Sequence, residues 1–158
     1  MNPVEAEKQT RDNMTMLSDS TAWVVIDDVQ SGQTNRSVDI DAGICSGRFY
    51  PIRVVKNVLE WGAENSCAST AAPNDLYPHS ISATLRQGNV GKLSIRLYDK
   101  ATVSSPKSSA YSRVASTHGM RKCADNNTHK FVQVVNITVH GTKFGPKSSP
   151  EVRFACGV

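Results

Sequence analysis

The groups best suited to chemistry are concentrated between His118 and Lys130. His118, Arg121, Lys122, His129 and Lys130 fall around Cys123. Imidazoles and ammonium groups at this density suit a metal site or a His/Lys acid–base pair. The spacings match no metal-ligand pattern, and no carboxylate stands where it would orient either histidine. No metal ligand and no catalytic residue is therefore assigned, and a small hydrolase centred on His118 or His129 is the least supported function. Two acidic pairs read similarly. Asp27 and Asp28 are adjacent, point different ways and suit a solvated turn. Asp39 and Asp41 share one face of a short strand, but Ca²⁺ takes about six to eight oxygens, so an exposed polar face is the better reading. The chain has no G-x-S-x-G, P-loop, G-x-G-x-x-G or H-E-x-x-H motif, and no cofactor is implied.

Anion binding has more support. The word Pro-Lys-Ser-Ser occurs at 106–109 and again at 146–149. Both copies read as connections, which would put Lys107 and Lys147 on neighbouring loop tips among hydroxyls and backbone N–H groups. Arg86, Lys92 and Arg96 extend the same basic surface. The net charge of +4 hides an asymmetry. Residues 1–85 hold six Lys/Arg against eleven Asp/Glu, and residues 86–158 hold twelve against three. Oppositely charged halves suit head-to-tail self-assembly, or capture of an anionic glycan, a phosphate-rich surface or nucleic acid. Aromatics that would stack on bases are few among the basic residues. Trp61 and Tyr77 flank a long connection over 62–78; exposed together they would form an aromatic platform for a sugar or a partner protein, but buried anchors under the connection are the better reading.

Cys45, Cys67, Cys123 and Cys156 contain no C-x-x-C pair, which argues against a zinc ribbon or a thioredoxin-type motif. Of three possible pairings, the economical one is Cys45–Cys67 with Cys123–Cys156, which closes two separate loops. It requires an oxidising compartment. Asn13, Asn35, Asn126 and Asn136 each begin an N-x-[S/T] sequon. No apolar run approaches the roughly 18–20 residues of a membrane span. The start, Met1 to Lys8, has neither the basic nor the apolar part of an export signal, so the chain is either kept inside or begins after a removed segment.

The element pattern must position these groups. His79 to Lys100 alternates apolar and polar residues on both sides of Gln87-Gly88-Asn89-Val90-Gly91, which reads as a hairpin with Ile81, Ala83, Leu85, Leu93, Ile95 and Leu97 in the core. Phe131 to His140 alternates too, and Glu151 to Cys156 reads as a last strand. Arg48 to Val55 is a strand that Pro51 splits or confines to an edge. Lys56 to Gly62 reads as a short helix closed by glycine. Residues 102–117 read as a loop or weak edge segment. Residues 4–29 read as a helix, with Pro3 ahead of it and Glu5 and Glu7 in its first turn, although Trp23-Val24-Val25-Ile26 is β-prone.

The expected fold is one domain over 1–158, α+β or mainly β. A helical segment at 4–29 packs on a β-rich body at 36–158, an antiparallel sheet of about five to seven strands. The expected role is a non-enzymatic structural or adhesive subunit of an extracellular or particle-surface assembly. Helix first, sheet second and a crosslink near the C-terminus is similar to a pilin-type subunit, although the apolar helical start of such subunits is missing. The alternative is a binding module for an anionic ligand.

Overall fold

The structure, a computed structural model, describes residues 14–17, 21–27, 43–69, 78–91, 96–107, 113–139 and 141–158. Its elements are all strands: β1 (Met14–Met16), β2 (Ala22–Asp27), β3 (Gly43–Val55), β4 (Val58–Ser69), β5 (His79–Asn89), β6 (Tyr98–Ser104), β7 (Val114–Lys122), β8 (Asp125–Val139), β9 (Thr142–Ser148) and β10 (Val152–Gly157). They form two antiparallel sheets, β1-β2-β3-β4-β7 and β10-β8-β5-β6. In the second sheet β9 pairs with the same long strand β8 beyond the end of β10.

The expected N-terminal helix is not there. Its interval contains β1 and β2, and none of the described residues lies in an α-helix. The β-prone run decides the matter locally. Trp23 and Val25 are buried while Val24 between them is only half buried, which is the period of a strand. The single expected sheet is also corrected, to two sheets sharing one core. Trp23, Val25, Phe49, Leu59, Trp61 and Ala63 from the first sheet pack with Ile81, Ala83, Leu85, Phe131, Val135 and Ile137 from the second. Trp61 donates its indole Nε1–H across the gap to the carbonyl of Ala83 at 3.2 Å.

Each tryptophan occupies space left by a glycine. Trp23 lies opposite Gly47, and Trp61 lies opposite Gly119. A Cβ at either glycine would run into the indole ring of its partner. The rings therefore lie down across the neighbouring strand, and two large side chains fit into a thin core.

Several local expectations change with register. Lys56 to Gly62 is not a helix. Val55 pairs with Val58, and Lys56 and Asn57 between them both take positive φ, at 51° and 65°. That is the geometry of a two-residue hairpin turn matched to strand twist. Pro51 does not put β3 at an edge, since β3 pairs with β2 on one side and β4 on the other. It sits in a bulge instead, where register with β4 shifts between Tyr50 and Arg53. The hairpin at 79–100 begins as expected, and the partner strand described for β5 is Tyr98–Ser104, with Gln87 opposite Tyr98. Ile81, Ala83 and Leu85 are in the core; Leu97 is half buried, and Leu93 and Ile95 lie outside the described residues. The weak segment over 102–117 yields the end of β6 and the first part of β7, and the connection after residue 141 contains β9.

Both disulfides join the economical partners. Cys45–Cys67 links directly opposed residues of β3 and β4. Cys123–Cys156 ties the crossing from β7 in one sheet to β8 in the other onto the last strand, β10. Backbone bonds reinforce that crossing: Cys123 N–H donates to the Asn57 carbonyl, and Ala124 N–H to that of Gly157.

Candidate functional site on the outer face of the first sheet

The strands β3, β4 and β7 bring one row of residues into register: Tyr50, Gly62 and His118. Residues two strands apart in such a row have backbones about 9–10 Å apart. Gly62 carries no side chain to separate them, and the two rings meet over it with centroids 4.9 Å apart and planes within 9°. Gly62 is itself required: its φ is +156°, and a Cβ there would strike the Thr117 carbonyl.

Ion pairs flank the stacked rings on both sides. Arg48 donates from Nε to Glu64 Oε1 at 2.8 Å, and the Tyr50 hydroxyl donates to Glu64 Oε2 at 2.8 Å. The Arg48 guanidinium also stands 5.8 Å from the Tyr50 ring centroid. Burial, and then the hydrogen bond to Glu64, push the Tyr50 hydroxyl pKa up to about 12. On the other side Arg53 pairs with Glu60 at 2.5 Å, next to exposed Met120. Between this pair and the rings lies a groove of about 370 Å³, lined by Tyr50, Pro51, Arg53, Glu60, His118 and Met120, with Trp61 and Gly119 beneath.

The floor is held from inside. Gln133 on β8 is fully buried and aims its amide at the bulge. Its Oε1 accepts from Gly62 N–H at 3.0 Å, and its Nε2 donates to the Tyr50 carbonyl at 2.7 Å. One glutamine of the second sheet thus satisfies two backbone groups where the first sheet loses register. A second buried polar set lies in the core. Trp23 Nε1–H, which can only donate, fixes the Asn65 amide with Oδ1 toward the indole. Asn65 Nδ2 then faces Cys67 Sγ and His79 Nδ1.

The sequence-selected residues are dispersed. Arg86 pairs with Asp99 across β5 and β6 at 2.8 Å. Arg96 and Lys107 are exposed, and Lys92 lies outside the described residues. Lys147 is in β9 rather than in a loop, and β9 and β6 are on opposite sides of β8 and β5. Lys147 pairs with Val135 inside β9, whereas Lys107 lies beyond the end of β6, so the two are not a matched pair of loop tips. Trp61 is a core residue, not a surface platform, and Tyr77 lies outside the described residues. Asp39, Asp41, Asn13 and Asn35 also lie outside them. Asn126 is exposed at the start of β8, and Asn136 is half buried on it.

His118 on β7 and His129 on β8 sit on different sheets. His118 belongs to the stacked pair. His129 is buried on β8 and meets Asp125 at 3.0 Å, the carboxylate partner that sequence spacing did not reveal. The Asn127 backbone N–H, and then His129, hold the Asp125 carboxyl below its ordinary value. Among the described residues no group of three or more His, Cys, Asp or Glu is placed to hold a metal.

Fold and site define a class: a two-sheet antiparallel β-sandwich, stapled by two disulfides, with an aromatic–ionic groove on one outer face. The sequence matches no protein-family model and no curated protein.

Proposed function

We propose that the chain is a non-enzymatic adhesive subunit, acting outside the reducing cytoplasm or on a particle surface, whose β body attaches to an anionic partner. The observation that carries this reading is the charge of the body. Residues 86–158, which supply β6 to β10, hold twelve Lys/Arg against three Asp/Glu. The excess is spread over both sheets and several edges, which suits an extended polyanion better than a single small anion. Two crosslinks in a chain with no free cysteine among the described residues support the oxidising setting. A pilin-type arrangement is not part of the reading, because β1 and β2 stand where its helix would be.

Retention on an immobilised sulfated polysaccharide tests the proposal. The expected result is strong binding at low salt, with the logarithm of the binding constant falling linearly with that of salt concentration. Because Lys147 lies within β9 and Lys107 beyond the end of β6, Lys107→Glu and Lys147→Glu should each weaken binding modestly and add together. Binding that ignores salt would overturn the electrostatic reading.

Self-assembly is the second reading, and the same charge distribution favours it. Residues 1–85 hold eleven Asp/Glu against six Lys/Arg, a charge complementary to that of the second half of the chain. Sedimentation at low ionic strength should then show association that added salt reverses. A monomer under those conditions removes this reading.

A further inference from the structure

We infer that the groove beside Tyr50 and His118 is a subsite for an uncharged sugar ring. The second half of the chain is strongly basic, yet the charges that line the groove cancel: Arg53 is paired with Glu60, and in the row beyond the rings Arg48 is paired with Glu64. A carboxylate within the lining repels an anion, so the groove does not select for the polyanion that the rest of the surface attracts. What it offers is a guanidinium donor beside a carboxylate acceptor, a ring nitrogen on His118, and apolar surface from Tyr50, Pro51 and Met120. The Met120 side chain is left uncovered, at 66% exposure. Sugar hydroxyls each donate and accept, and the ring between them presents C–H faces, so one hexose unit matches all three kinds of group. The volume of about 370 Å³ lies within the range of roughly 300–1,000 Å³ typical of small-ligand sites. The groove is also preformed. Gly62 lets the rings meet, the bulge at Pro51 shapes one wall, and Gln133 holds the floor from beneath.

The test is ligand-detected and protein-detected NMR with a panel of neutral oligosaccharides ending in different hexoses, alongside sulfated counterparts. At least one neutral sugar should saturably shift the His118 ring and Met120 methyl signals, with an affinity that is the same at low and high salt. Glu60→Gln and His118→Ala should each weaken it about tenfold or more, while the dispersed spectrum of a folded sandwich is kept. Lys107→Glu should bind the neutral sugar as the parent does. If no neutral sugar moves these signals, or if only sulfated sugars do so with steep salt dependence, the subsite is refuted. The second outcome leaves the body-charge reading standing, and loss of polysaccharide retention leaves the subsite standing, so the two proposals fail separately.

Discussion

Tyr50 makes three separate contacts around the groove. Its ring stacks on His118, its hydroxyl donates to Glu64, and its carbonyl accepts from Gln133. The hydroxyl pKa is raised from 10.0 to about 12, by burial first and by Glu64 second. The folded protein therefore keeps this proton over a range in which the unfolded chain has already lost it. Stability follows the difference in bound protons, so it falls as pH rises through that window. Alkaline unfolding should steepen between pH 10.0 and about 12. Tyr50→Phe has no proton to lose, and its stability should depend less on pH over the same interval. Denaturant midpoints measured across the window for both proteins check this; parallel curves would show that Tyr50 contributes nothing to the slope.

At the scale of the element, alternation made the central strands legible and register hid the rest. Ile81, Ala83 and Leu85 were readable because β5 lies between β8 and β6 with one face in the core, so its period of two is uninterrupted. Its end was misplaced because the Gly- and Asn-rich link resembles a tight turn, whereas β5 continues through Gly88 and Asn89 against β8. The Lys56–Asn57 turn was missed because its positive φ values are carried by a lysine and an asparagine, without the glycine that usually marks such a hairpin. The groove was invisible, since it depends on Tyr50, Gly62 and His118 falling into register across three strands. Gln133 did leave a trace: it is the polar residue in the inward series Phe131, Gln133, Val135, Ile137, Val139. A polar residue in such a series must find buried partners, and Gln133 finds the bulge. Gln133→Leu keeps the volume but abandons the Gly62 N–H and the Tyr50 carbonyl. The expected loss is about 2–4 kcal/mol, from two buried groups left unpaired. Urea unfolding should show a lower midpoint at an unchanged slope, and an unaltered midpoint would mean that these groups are satisfied another way.

At the scale of the whole molecule, the two disulfides do different work. Cys45–Cys67 crosslinks strands that already pair along their length. Cys123–Cys156 fastens the place where the chain leaves the first sheet for the second, and holds the last strand to it. Their loops span 22 and 33 residues, so chain entropy alone predicts similar contributions, about 3–4 kcal/mol each. The difference should lie in what comes loose. With Cys123 and Cys156 both changed to alanine, β10 keeps its ladder to β8, the packing of Phe154 and Val152, and the bonds from Ala124 N–H to the Gly157 carbonyl and from Val158 N–H to Gln87 Oε1, but no covalent tie. Terminal strands open locally at lower free energy than central ones. Hydrogen exchange should therefore accelerate first in Val152–Gly157 and at Ala124, while β5 keeps its protection. The Cys45→Ala, Cys67→Ala pair should lower global stability by a comparable amount without that local opening, because β3 and β4 remain paired on both sides of the missing bond. Equal acceleration across both sheets in the Cys123, Cys156 variant would mean that the crosslink stabilises the sandwich as one unit rather than closing its C-terminal edge.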